Sequence, residues 1–123
     1  MAVMYGYDSG PIGPNDIAAM EARETALSQM IGSIARTEHE TDYYRLRGSQ
    51  AMRRTFIAPL YDSEQQIPKM EEARATLVEV ARFLLDARKN GTIGPEIEPT
   101  ITVFIERLKQ TKEWLATLRG ESK

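Results

Sequence analysis

Four arginines lie within ten residues near the middle of the chain, and residues 43–60 carry no acid. Tyr43 and Tyr44 come directly before them, and Phe56 follows two residues after the last of them. An arginine guanidinium can grip a carboxylate or phosphate through two parallel hydrogen bonds, and it also stacks on aromatic rings. The segment therefore predicts contact with an anion or an acidic partner. The residues predicted to make this contact are Arg45, Arg47, Arg53 and Arg54.

Three kinds of anion could meet these arginines. The sequence favours pairing with carboxylates, either those of residues 38–42 or those of a partner protein. Residues 1–42 carry seven acids against two arginines, and the whole chain has a net charge of −2, so the chain is dipolar and not a polycation. One basic patch on such a chain gives weak, salt-sensitive binding to nucleic acid. Nucleic acid is therefore the second interpretation, and a small anion is the third.

Residues suited to catalysis or metal binding are sparse. Cysteine is absent and His39 is the only histidine, which excludes thiolate chemistry and the paired Glu-x-x-His motifs of a di-iron bundle. Glu38 and Asp42 are one helical turn apart and could hold a hard cation, but a hydrated acidic surface is favoured. The sequence contains no nucleophile motif and no glycine-rich phosphate loop. We therefore expect no enzyme, and no catalytic, cofactor-binding or metal-binding residue.

The first fifteen residues differ in composition from the rest of the chain. They include three glycines and two prolines, which oppose a regular helix, together with several apolar and aromatic side chains. Burying those few side chains returns less free energy than ordering the segment costs. We therefore expect residues 1–15 to form an extended N-terminal arm that docks on another surface. Its predicted partner-binding residues are Tyr5, Tyr7 and Ile12.

Residues 16–123 predict a single all-α domain. Apolar residues at helical spacing from position 17 to position 34 indicate a long N-terminal helix, 16–46, of about 46 Å. Similar spacing predicts helices at 68–89 and 99–119, which a turn at Asn90 and Gly91 separates into an antiparallel hairpin. We expect a small helical bundle in which the long helix packs on this hairpin.

The long helix leaves two alternatives open. Residues 37–42 are polar on every helical face, so the helix either breaks there or projects past the hairpin to meet a partner, and we favour projection. Gly48 either ends the helix, with Ser49 as the next N-cap, or lies within it at a cost of about 1 kcal/mol. Pro59 ends this region in both cases, and Pro68 is expected in the first turn of the following helix.

These features together predict a non-enzymatic structural or interaction subunit of a larger multi-protein assembly, homo- or hetero-oligomeric. Trp114 lies either at the edge of the core or in a contact with a partner, where tryptophan is enriched. Extended arms occur in viral shell, tail and connector proteins, so a viral particle is the expected setting. The alternatives are a small nucleic-acid-associated regulator that uses the arginines, and an accessory subunit of an enzyme complex.

The sequence also bears on location. The N-terminus has no basic segment followed by an apolar stretch, which is the pattern of a secretory signal peptide. No apolar run reaches the length that a membrane-spanning helix needs. The expected location is therefore the cytoplasm or an assembled particle, without a membrane partner.

Overall fold

The computed structural model describes residues 14–34 and 36–120, and within these ranges it contains four α-helices and no strand. The all-α prediction is confirmed. The helices are α1 (Pro14–Gly32), α2 (Arg36–Ile57), α3 (Ser63–Lys89) and α4 (Glu98–Leu118), with short 3-10 turns at Ala58–Leu60 and Pro95–Ile97. The predicted arm residues Tyr5, Tyr7 and Ile12 lie outside the described residues. None of the described helices is both long and apolar enough to cross a bilayer.

The helix α3 forms the centre of the bundle and packs against both α2 and α4. Its buried side chains recur every three or four residues, which confirms the apolar stripe that the sequence predicts. The buried residues of α3 are Met70, Ala73, Leu77, Val80, Ala81, Leu84 and Ala87. From α4, Ile101, Phe104 and Leu115 pack against this stripe and complete the core.

The antiparallel hairpin of α3 and α4 is confirmed, and the turn between them follows the predicted chemistry. Gly91 adopts a φ of 75°, and its N–H donates to the Arg88 carbonyl while the Thr92 N–H donates to the Ala87 carbonyl. This pair of bonds is the Schellman motif, which needs a left-handed residue just past the helix end. Arg88 also binds both carboxylate oxygens of Glu98, at 2.7 and 2.6 Å, and so ties the two helix ends together.

The expectation of one continuous helix over 16–46 is wrong, because the chain turns after Gly32. The Ser33 N–H and hydroxyl both contact the Met30 carbonyl, which closes the end of α1. The turn lets α1 fold back on α2, where it buries Leu27 and Ile31. The favoured alternative, a projecting helix, is therefore wrong. The helix breaks, but after Gly32 and thus ahead of the polar stretch 37–42, and the two parts form a helical hairpin, α1–α2.

Within the predicted polar stretch, α2 carries a kink at His39, whose φ of −130° and ψ of 46° are not helical. Further along, α2 continues through Gly48, so Gly48 does not end the helix. A Cβ atom at Gly48 would overlap the ring of Phe104 in α4. The missing side chain is what lets α2 and α4 approach closely at this level of the bundle.

The start of α3 also differs from the expectation. The helix begins at Ser63, and Pro68 lies inside it instead of in its first turn. The N–H groups of Gln65 and Gln66 donate to the Asp62 carbonyl, and the Gln66 side-chain amide donates to two carbonyls of the preceding turn at 2.9 Å each. These bonds stabilise an additional turn ahead of the proline, whose missing N–H falls at an exposed position.

Candidate interaction face

The helical period divides the four predicted arginines between two sides of α2. Arg47 and Arg54 are seven residues apart, which places them on one side, and both bind carboxylates of neighbouring helices. Arg47 Nη2 donates to Glu79 Oε1 of α3 at 3.0 Å. Arg54 Nε lies 3.0 Å from Glu24 Oε2 of α1, an ion pair in which the N–H is not aimed along a hydrogen bond. These two arginines fix α2 to α3 and to α1.

The other two arginines, Arg45 and Arg53, are exposed. Arg45 Nη2 lies 3.4 Å from Asp42 Oδ1, but both side chains are more than half exposed, so the pair contributes little to stability. Arg53 has no carboxylate within salt-bridge distance in the described part of the chain. The sequence predicted that the acids of residues 38–42 pair with these arginines. In the described chain, only one of the four arginines, Arg45, pairs with one of these acids.

Arg45 and Arg53 both line an open groove between α2 and α4, with a volume of about 620 Å³. The groove walls combine these cations with apolar side chains from the two helices. The apolar lining residues are Leu46 and Met52 of α2 and Pro99, Val103 and Phe104 of α4. Among the described residues that line this groove, none is an aspartate or a glutamate. By contrast, the cleft between α1 and α3 and the pocket beside His39 are each lined by three acids.

Exposed apolar side chains extend this surface along the seam of α2 and α4. Phe56 of α2 is 60% exposed, and Val103 of α4 is 54% exposed. Trp114 is 36% exposed and lies eleven residues after Val103, which places both on one face of α4, about 16 Å apart along the helix. Trp114 is therefore covered over most of its surface, as at the edge of a core, and its contact with a partner stays a prediction.

Arg107 lies between Val103 and Trp114 on the same face of α4 and was missed by the sequence reasoning. Its guanidinium donates to Thr55 Oγ1 at 2.8 Å and to the Thr55 carbonyl at 3.2 Å, and it lies 4.1 Å from the centroid of the Phe56 ring. Burial lowers its pKa from the ordinary value. Every acceptor that holds Arg107 in the described chain is neutral, so its positive charge is not compensated by a carboxylate.

We name this surface the α2–α4 face. It comprises Arg45, Leu46, Met52, Arg53, Phe56, Val103, Arg107 and Trp114. It brings together three residues that the sequence singled out, Arg45, Arg53 and Trp114, and leaves Arg47 and Arg54 on the other side of α2. The spacing of positions 103, 107 and 114 was the signal that could have added Val103 and Arg107 to the prediction.

Among the described residues, the remaining candidates for chemistry do not form a metal site, and the side chain of Glu38 lies outside the described part of the chain. His39 is exposed at the kink of α2, beside the acids Glu40, Asp42 and Asp86. Across the described ranges, no group of three or more histidine and acidic side chains is arranged to hold a metal ion. The chain matches no protein-family model, no curated protein and no solved structure.

Proposed function

We propose that this protein is a non-enzymatic interaction subunit of a larger assembly and that it binds a partner through the α2–α4 face. One observation carries the proposal. Of the four large apolar side chains that the described residues expose, Phe56, Val103 and Trp114 lie along this one seam, beside Arg53 and Arg107, which have no carboxylate partner in the described chain. The fourth, Met30, lies on α1.

Exposed aromatic and aliphatic groups of this size are unfavourable in water, and their burial against a partner is favourable by about 25 cal/mol per Å². Tryptophan and arginine, with other aromatic residues, supply most of the binding free energy in protein interfaces. The α2–α4 face offers Trp114, Phe56 and Arg107 together. The bundle has a separate core around α3, so these residues are not needed to complete it.

The first alternative, binding of nucleic acid, has less support. A phosphate backbone is held by a row of cations, and affinity grows with their number. Arg47 and Arg54 already bind Glu79 and Glu24, so only Arg45 and Arg53 of the predicted set face the groove. An accessory subunit of an enzyme complex remains compatible with the same face, because such a subunit also binds a protein.

The N-terminal arm is the second contact in this proposal. Tyr5, Tyr7 and Ile12 are its proposed anchors on a neighbouring subunit, and the setting in a viral particle stays a prediction from sequence. Deletion of residues 2–14 is expected to abolish assembly and to leave helix content, measured by circular dichroism, nearly unchanged. A truncated protein that assembles normally would remove the arm from the proposal.

Site-specific photo-crosslinking in the native source tests the face directly. A crosslinking amino acid at Val103 is expected to give one product of discrete mass, identified by mass spectrometry. The matched control carries the same group at Arg82, which is exposed on α3 opposite its buried stripe. Equal crosslinking from both positions, or none from Val103, would contradict the proposal.

A further inference from the structure

We infer that the partner presents an α-helix to the α2–α4 face, with an apolar stripe flanked by carboxylates. This inference rests on the proposed function and adds the chemistry of the partner. Three features of the face carry it: its shape, its charge and the neutral hydrogen-bond acceptors around the half-buried Arg107.

The shape fits a helix. Two helices packed side by side leave a groove along the line where they meet. A third helix can lie in such a groove, with its side chains at i, i+3, i+4 and i+7 directed into it. The distance of about 16 Å from Val103 to Trp114 corresponds to about three helical turns. The groove volume of about 620 Å³ at the Val103 end leaves room for a large apolar side chain between Leu46 and Phe104.

The charge fits acidic flanks. The chain is net acidic, yet none of its described acids lines this groove, whereas each of the two other clefts described above has three acids in its lining. Arg53 is exposed and has no carboxylate in the described chain, and Arg45 holds Asp42 only loosely. A partner that places carboxylates beside its apolar stripe can therefore pair with both arginines.

Arg107 places a further positive charge in the middle of the face, between Val103 and Trp114. Its three hydrogen bonds go to neutral acceptors of Thr55 and Gln110, which orient the guanidinium but leave its charge without a counter-ion. A carboxylate that approaches this half-buried cation when water is excluded gains more than it would at an exposed lysine. A neutral or basic helix would instead cover Arg107 without compensating its charge.

The probe for a direct test is a synthetic helical peptide of about 18 residues, long enough to form a helix. It carries leucine at the i, i+3, i+4 and i+7 positions and glutamate on both flanks. A second peptide has lysine in place of every glutamate. Fluorescence anisotropy with the full-length chain is expected to show binding of the acidic peptide and binding about tenfold weaker or absent for the basic one. Equal binding of the two peptides, or binding of neither, would overturn the inference.

Two substitutions at exposed positions test the assignment of the face. Arg53→Glu is expected to weaken binding of the acidic peptide by about fivefold or more and to improve binding of the basic peptide. Val103→Asp is expected to remove binding of the acidic peptide. Arg82→Glu makes the same charge change on the exposed side of α3 and is expected to leave both affinities unchanged. An Arg53→Glu protein that binds like the parent, or an effect of the same size from Arg82→Glu, would contradict the inference.

Two further outcomes would reassign the face. An oligonucleotide that binds more tightly than the acidic peptide, with the same dependence on Arg53, would assign the face to nucleic acid. Self-association in light scattering that Val103→Asp abolishes would assign it to a second copy of this chain. A specific crosslink from Val103 without binding of the acidic peptide would overturn the partner chemistry alone. Failure of both experiments would overturn the proposed function as well.

Discussion

On one side of α2, Arg47 and Arg54 bind carboxylates of α3 and α1, whereas on the other side Arg53 has no carboxylate within reach in the described chain. All three belong to the same short basic segment, and Arg53 and Arg54 are neighbours in sequence. The difference arises because successive residues of a helix are rotated by about 100°, so adjacent side chains face different surroundings.

This contrast separates structural charges from charges available to a partner. Arg47 and Arg54 lie on the side of α2 that faces α1 and α3, and each pairs with a carboxylate of the same chain, Glu79 and Glu24 respectively. The outer side faces a groove without acids, where exposed apolar side chains accompany the cations. A charge cluster read from sequence therefore has to be divided by helical face before a function is assigned to it.

The contrast depends on the close approach of α2 and α4 at Gly48, so the largest expected effect comes from filling that contact. Gly48→Leu is expected to lower the free energy of unfolding by about 3 kcal/mol, because its side chain would overlap the Phe104 ring. Denaturant unfolding followed by circular dichroism measures this change.

The matched control is Gly32→Leu at the end of α1, where a Cβ atom would meet nothing within 4 Å. This substitution is expected to change stability by about 1 kcal/mol or less, in the stabilising direction that helix propensity gives. If leucine changed the free energy of unfolding equally at both glycines, α2 and α4 would not be packed as described. The groove between these two helices would then not exist in the form described.

A second, smaller effect is expected at Thr55, the buried hydroxyl that accepts from Arg107. Thr55→Val is expected to lower the free energy of unfolding by about 2 kcal/mol, because it leaves the half-buried guanidinium without one acceptor. Thermal or denaturant unfolding measures the loss, and binding of the acidic peptide is expected to weaken in parallel as Arg107 loses its orientation.

Thr111 provides the control for this prediction. It is equally buried, and its hydroxyl donates to the carbonyl three residues earlier, as that of Thr55 does, but it accepts no hydrogen bond from an arginine in the described part of the chain. The difference between Thr55→Val and Thr111→Val therefore isolates the bond to Arg107. Equal losses in the two variants would show that Arg107 is not held through this hydroxyl.

Much of the fold could be predicted because the spacing of apolar residues along a helix is a local property of the sequence. The stripe of α3 and the stop at Asn90 and Gly91 depend on residues within one or two turns. The turn after Gly32 could not be predicted in this way, since the apolar spacing continues past it to Ile34. That turn depends on the docking of α1 against α2, which is a tertiary contact.

The candidate face was predictable only in part for the same reason. Helical spacing alone could have separated Arg53 from Arg54. The partners Glu24 and Glu79 lie in other helices, however, and no local pattern identifies them. Arg107 was missed because its acceptor, Thr55, is 52 residues earlier in the chain. Its spacing from Val103 and Trp114 places Arg107 on their side of α4, but its contact with Thr55 follows from the packing of α4 on α2.

The smallest predicted effect is the most direct test of the contrast between the two sides of α2, because it involves the adjacent residues Arg53 and Arg54. Arg54→Ala is expected to lower the free energy of unfolding by about 0.5–1 kcal/mol, the range of a partly exposed ion pair, and a double-mutant cycle with Glu24→Ala measures the coupling. Arg53→Ala is expected to change the free energy of unfolding by less than about 0.5 kcal/mol.

The order of the two effects reverses for binding of the acidic peptide, where Arg53→Ala weakens affinity and Arg54→Ala does not. Added salt is expected to reduce both the loss of stability in Arg54→Ala and the loss of affinity in Arg53→Ala, because salt screens the attraction between exposed charges. If Arg54→Ala weakened binding as much as Arg53→Ala, the two sides of α2 would not be functionally distinct, and the partner would contact the whole basic segment.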